Sequence, residues 1–459
     1  MTRIVFPNQL HSNNIKQRYA SPRDFKPHER SKQMDHGWIL SSDQMQFLRN
    51  NPYYYCASCG SYLEMFFLQR FWTKLAKFIP HFVAPSLLTF AGLTINILCS
   101  LNVLYYSFDL KGEVPSWAFL ICATGLFLYQ TLDALDGKQS AKVQNTQIEE
   151  LTDHGCDAVS TIFVALTAAS AVQLGNYPSL LYLYAILMFT AFFSTHWLAH
   201  ITHCMVFKKI DVSEAQWSMI LIHLITAQWG QKIWSVPLVN VFGFQLDGTQ
   251  VMAILTILSL SHCIFDNLLM SVMGKKTPLE ENEILIPRRR SQAIYNPLHS
   301  LGLLMLLSML NYLSGLVSLS VSVFVILYGF AFARLVINLV MQNVSRGETE
   351  KWDLCLAAPL LLTLNQLVGL IHPYTALLCA SIYSIMDFLR FFTYACWDLK
   401  AALDIHILSV KYPLGHPKSR GGNEGFYING FNNEAIREKW KRFEAQERNG
   451  LVKVLFGYY

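Results

Sequence analysis

Four aspartates in two short clusters carry the chemistry of this chain. Asp133-Ala-Leu-Asp136-Gly137 follows an apolar run from Pro115 to Leu132, and Asp153-His154-Gly155-Cys156-Asp157 precedes another from Ala158 to Leu174. In helices, Asp133 and Asp136 stand at i,i+3 and Asp153 and Asp157 at i,i+4, so each pair shares one helical face. Carboxylates gathered where helices enter a membrane repel one another and resist desolvation. They persist there only if something cationic collects them. Hard oxygen donors suit Mg2+ or Mn2+, so Asp133, Asp136, Asp153 and Asp157 are the candidate metal ligands.

The elements that must position these acids are membrane helices. Of 459 residues, 53% are hydrophobic and only 15% are charged, which is the balance of a polytopic membrane protein. Apolar runs fall near 83–106, 115–135, 155–174, 178–199, 216–240, 251–272, 298–318, 320–342, 354–370 and 373–395. They predict an all-α fold of about ten transmembrane helices. The fifth run is the weakest, interrupted by Gln228, Gln231 and Lys232. The connections after Leu174 and Leu316 are so short that the helices they join must be hairpins.

Residues 1–60 are polar and mixed in charge, which predicts a mobile cytosolic arm and no cleaved leader. Residues 61–81 place apolar side chains at helical spacing with Arg70, Lys74 and Lys77 elsewhere, an amphipathic helix suited to the headgroup plane or to packing on the domain. The transmembrane domain is expected over 82–397 and a cytosolic tail over 398–459, in which Lys400 to Val410 could form one more interfacial helix.

Short loops carrying Lys208, Lys209, Lys275, Lys276, Arg288, Arg289, Arg290, Arg346 and Lys351 fall on one side, and Lys111 and Lys232 on the other. The positive-inside rule puts the first set, the carboxylates and both termini in the cytosol. Asn343-Val-Ser345 then lies on the cytosolic side, which discounts it for glycosylation. The net charge of +5 is too small and dispersed for a nucleic-acid partner. Cys56-Ala-Ser-Cys59 is an isolated CxxC and reads as a reduced pair. His196, His200 and His203 share a helical face at a spacing that zinc could use.

The core reads Asp136-Gly-Lys-Gln139, then Glu150-Leu-Thr-Asp-His-Gly-Cys-Asp157. Upstream stand Trp72, Ile79-Pro80 and Ala84-Pro-Ser-Leu-Leu-Thr-Phe-Ala-Gly92; downstream stand His196-Trp197 and Asp211-Val-Ser-Glu-Ala-Gln216. These stretches resemble the signature of the CDP-alcohol phosphotransferases, most closely the choline/ethanolamine phosphotransferase branch, over roughly residues 60–410. The resemblance implies an integral enzyme of the endoplasmic reticulum or Golgi. It would move phosphocholine or phosphoethanolamine from CDP-choline or CDP-ethanolamine to diacylglycerol, giving phosphatidylcholine or phosphatidylethanolamine and CMP.

The residues suit that chemistry. Two ions held by the four aspartates would clamp the pyrophosphate and neutralise charge on the leaving CMP. Gly137 lets nucleotide phosphates approach the backbone. The unperturbed pKa of histidine lies near cytosolic pH, so His154 is the candidate base for the diacylglycerol hydroxyl. Glu150, four residues earlier on the same face, can hold the imidazole in one tautomer. The resemblance assigns this Glu–His pair as the activating dyad, with Asp157 as the alternative base.

Three slots with which the family grips the cytidine diphosphate are altered. Ser140-Ala141 or Ala141-Lys142 stands for Ala-Arg, Glu149 for Gly, and Ser86 for Asn. Lys142 and Ser86 are therefore candidate nucleotide contacts, and Glu149 would add negative charge beside an anionic ligand. Glu214 and His196 are candidate cavity residues. A membrane-lipid setting follows, with helices near 298–395 offering a homodimer face. The altered slots also leave open a catalytically weakened relative that binds lipid or metal as a regulatory protein. A transporter would scatter its acids through the spans and show inverted repeats, and neither is seen.

Overall fold

A computed structural model describes residues 38–51, 53, 55, 61–202, 205–208, 210–241, 243–273, 291–413 and 419. Cys56, Cys59, His203, Lys209 and most of the expected arm and tail lie outside them. The helices are α1 (Ser42–Asn50), α2 (Gln69–Ala76), α3 (Pro85–Tyr106), α4 (Ser116–Val143), α5 (Gln147–Ala171) and α6 (Pro178–Thr202). Then follow α7 (Val212–Trp229), α8 (Gly248–Met273), α9 (Ser291–Leu313), α10 (Val321–Val344), α11 (Ala357–Val368) and α12 (Pro373–Leu403).

Each of the apolar runs carries one of the helices α3 to α12. Among the described residues, six are both long and apolar enough to cross a membrane: α3, α4, α6, α8, α10 and α12. Acidic residues dilute the first half of α5, and α11 is short. The chain is an all-α, polytopic integral membrane protein.

The described turns fall at two ends of the bundle. Asn343 at the end of α10 reaches Glu150 at the start of α5, and Gln144 reaches the His406 carbonyl beyond α12, so these termini share the carboxylate end. At the opposite end, Gln231 bonds the Val114 amide and the Gly112 and Ser170 carbonyls, and Gln173 bonds the Lys111 carbonyl.

The run expected to stay helical through 240 does not. α7 stops at Trp229 because Gly230 takes φ +77°, and a hairpin of β1 (Pro237–Val241) and β2 (Phe244–Asp247) follows. Lys400 to Val410 is likewise not a separate helix. α12 runs through the expected domain boundary to Leu403, where Asp404 turns left-handed at φ 55°.

α10 is the hub, almost wholly buried and packed on α5, α6 and α12. Two glycines set its distance from α5. A β-carbon on Gly155 of α5 would sit 2.5 Å from Ile337 Cδ1 of α10, and one on Gly329 of α10 would sit 2.7 Å from Ile162 Cγ1 of α5. Either would push the helices apart in a close-packed core. Arg334 of α10 is buried between Asp353 and Asp387, with its guanidinium 3.5 Å over the Phe391 ring. Breaking such a buried pair would strand a charge.

Residues 38–51 are anchored on the bundle. Asp398 of α12 accepts the amides of Trp38 (3.0 Å), Ile39 (2.8 Å) and Leu40 (2.9 Å). α1 begins with a Ser41–Gln44 capping box, and Gln44 also donates to Gln342 (3.0 Å) and Ser345 (2.8 Å) at the end of α10. Met45 and Leu48 are buried in the core. Asp398→Ala leaves three amides without their charged acceptor and is expected to cost about 3 kcal/mol. It should lower the melting temperature in detergent and speed tryptic cleavage after Arg49; unchanged cleavage would refute this anchoring.

Candidate active site at the carboxylate end of the bundle

A tight turn places the two acidic clusters side by side. α4 ends at Val143 and α5 starts from the Thr146 N-cap, whose amide and hydroxyl donate to Glu149 Oε2 at 2.8 and 2.6 Å. Gln144 Nε2 donates to Glu149 Oε1 at 2.7 Å. The Glu149 carboxylate is thus consumed by the helix start, which corrects the expectation that it would face a nucleotide. α3 wedges between the pair, held to α5 by Ser86–Thr152 (3.0 Å) and Asn96–Ser160 (2.7 Å).

Lys138 and Gln139 clasp the segments that lead into α3. Buried Lys138 donates to Gln69 (2.9 Å) and Thr73 (3.1 Å) of α2, and Gln139 to the carbonyls of Pro80 (2.9 Å) and Val83 (2.8 Å). Trp72 and Ala76 of α2 pack on Ala134 and Leu135 of α4.

The acids of the two helices converge. Oxygen atoms of Asp133, Asp136 and Asp153 all lie within 4.8 Å of one another, and so do atoms of Asp153, His154 and Asp157. Asp153 belongs to both groups and joins α4 to α5. Thr89 of α3 donates to Asp136 and Tyr129 of α4 donates to Asp157, which fixes both side chains. Asp133 Oδ1 is buried and lacks a hydrogen-bond partner. An orphaned oxygen beside further carboxylates is what a hard divalent cation satisfies, so the residues fit Mg2+ or Mn2+.

Glu150 and His154 share a helical face, but no hydrogen bond joins them among the described residues. The Glu150 carboxylate is taken instead by the Tyr53 hydroxyl (2.5 Å) and, at 3.5 Å, by the Asn343 amide. Burial, and then the charge of Glu150, push the Tyr53 phenol well above its ordinary range, which keeps it a donor. Tyr55 is raised likewise by burial and then by Asp153, and packs beside Ala199, Met205 and Phe207. His154 is buried with its Nε2 unpartnered, edge-on to His196 at 4.8 Å between ring centroids.

The remaining candidates are placed as follows. Gly137 is half-buried within α4, beside Asp136. Lys142 donates to the Ile79 carbonyl at 2.5 Å, and Ser86 is fully buried against Thr152, so both side chains hold the loop and helix around them. Glu214 caps α7 through the Asp211 amide (2.9 Å) and accepts the Leu63 amide (3.0 Å), a structural clasp rather than a cavity lining. His196 Nδ1 bonds the Phe192 carbonyl at 2.9 Å, and His200 is buried. Thr89, Tyr129, Tyr53 and Asn343 were not legible as site residues. Thr89 and Tyr129 sit inside apolar runs, and Tyr53 and Asn343 reach Glu150 from remote segments.

No family model matches the chain. Among curated proteins, it is 31% identical over 384 residues to cholinephosphotransferase 1 of Danio rerio, covering 82% of this chain and 97% of that protein. It is 30% identical over 381 residues to cholinephosphotransferase 1 of Homo sapiens, covering 81% and 90% respectively. An uncharacterized CDP-alcohol phosphatidyltransferase class-I family protein 1 of Dictyostelium discoideum is 31% identical over 193 residues, 40% of this chain and 48% of that protein. With the paired acids on α4 and α5, these likenesses show that the chain belongs to the choline/ethanolamine branch of the CDP-alcohol phosphotransferase family.

Proposed function

We propose that this protein transfers phosphocholine or phosphoethanolamine from its CDP carrier to the hydroxyl of diacylglycerol, releasing CMP. The observation that carries this reading is the convergence of acids from α4 and α5 at one end of a membrane bundle. A water-soluble nucleotide and a lipid alcohol can meet at that depth. The names of the relatives put CDP-choline first of the two donors.

Asp133, Asp136, Asp153 and Asp157 would hold divalent ions, which when bound neutralise the pyrophosphate and the departing phosphate. Thr89 and Tyr129 keep two of those carboxylates aimed. The diacylglycerol oxygen attacks the phosphorus that bears the alcohol head group, its proton passes to a ring nitrogen of His154, and the bond to the CMP oxygen breaks. Burial of His154 keeps water from competing for that proton. Tyr53 and Asn343 hold Glu150 in place one helical turn away.

Lys208, Arg346 and Lys351 at the carboxylate end, against Lys111 and Lys232 at the other, support a cytosolic site. Endoplasmic reticulum or Golgi membranes fit that orientation. Exposed Phe67 and Phe78 on either side of α2, with Arg70, Lys74 and Lys77, suit this segment to the headgroup plane. Because Lys142 and Ser86 are engaged elsewhere, a second reading stands beside transfer: a membrane protein that binds lipid or metal without turnover.

Microsomes containing the chain, given labelled CDP-choline or CDP-ethanolamine, diacylglycerol and Mg2+ or Mn2+, decide between the two. Phospholipid product is expected, reduced by at least about 100-fold in His154→Ala and lost in Asp136→Ala. No product with either donor, in membranes where a relative is active, supports the second reading. Tyr53→Phe removes the donor that holds Glu150 and should lower turnover by about tenfold. Full turnover in that variant would contradict a role for the Tyr53–Glu150 contact.

A further inference from the structure

His154 and His196 are both buried, 2% and 5% exposed, and their rings meet at 79° with centroids 4.8 Å apart. The Nε2 atom of each lies buried without a hydrogen-bond partner. His196 Nδ1 is 2.9 Å from the Phe192 carbonyl oxygen. A carbonyl can only accept, so that nitrogen carries the proton, and the Nε2 of the neutral ring is left with a lone pair. A buried acceptor with no donor is costly, and the polar ring packed on His196 is that of His154. Glu150, the residue whose spacing suited it to orient His154, is held by Tyr53 and Asn343.

We propose that His196 is the positioning residue for His154: its Nε2 accepts a proton-bearing Nε2 of His154. The bond requires the His154 ring to turn about its outer side-chain torsion, which is broad for an imidazole, until its Nε2–H points at His196 Nε2. His154 is then fixed as the Nε2–H tautomer, and its Nδ1 keeps the lone pair that takes the hydroxyl proton of the acceptor. The catalytic step rests on the transfer reading, whereas the tautomer does not.

Two measurements on the full chain separate these claims. In protein labelled with 15N-histidine and assigned with His154→Gln, the His154 Nε2 should be protonated and its Nδ1 not. In His196→Leu, His154 should populate both tautomers. A His154 protonated at Nδ1, or unaffected by His196→Leu, overturns the proposal. In the transfer assay, His196→Leu should lower kcat by about tenfold or more with KM for CDP-choline within about twofold of wild type. His196→Gln, whose Oε1 can accept the same bond, should recover most of the loss. Equal losses in both variants, matched by equal drops in melting temperature, would reduce His196 to packing and overturn the proposal. A wild-type chain that forms no product sinks the transfer reading, and the spectrum still decides the tautomer.

Discussion

Mutual repulsion between carboxylates on α4 and α5 is the constraint on which this structure turns. Two unit charges 4.8 Å apart, in an effective dielectric near 20, repel by about 3.5 kcal/mol, and several such pairs are gathered at this end of the bundle. Helices left to themselves would rotate these faces apart. Several contacts oppose this: the capped turn at Thr146, the wedge of α3 with its Thr89 and Ser86 bonds, and the seat of Gly155 on α10. Packing and capping hold a strained electrostatic arrangement, which a bound divalent cation would relieve.

The same economy explains the side chains around the acids. Lys138, Gln139 and Lys142 lie close to the aspartates in sequence, yet they tie α2 and the approach to α3 onto α4. Glu149 and Glu214 each close a helix start. Most polar groups near the site thus support it, while Asp133 Oδ1 and the Nε2 atoms of His154 and His196 are among the buried polar atoms left without a hydrogen-bond partner. Residues 38–51 are anchored on α12 by Asp398, and Tyr53 touches Glu150.

Much of this was legible in the residues themselves. Periodicity located the helices, and spacing alone paired Asp133 with Asp136 and Asp153 with Asp157, because side chains on one helix obey a fixed repeat. The same rule paired Glu150 with His154 and there it fell short. A shared face permits a bond, but Tyr53 and Asn343, 97 and 193 residues away in sequence, compete for the carboxylate. The end of α7 was misread for a related reason. Apolar composition continues past Trp229, while the positive φ of Gly230 breaks the helix. The docking of residues 38–51 was hidden because its acceptor, Asp398, sits at the far end of the chain. Local repeats are readable from sequence; contacts across the bundle need the fold.

The claim beneath all of this is that acids from two helices act as one cation site, with Asp153 shared between its halves. Mn2+ binding to the purified full-length protein, followed by electron paramagnetic resonance, measures that most directly. The account expects saturable binding of about two ions per chain, with both ions weakened together by Asp153→Asn. A wild-type protein that binds no Mn2+, or an Asp153→Asn variant that binds as wild type does, would contradict it.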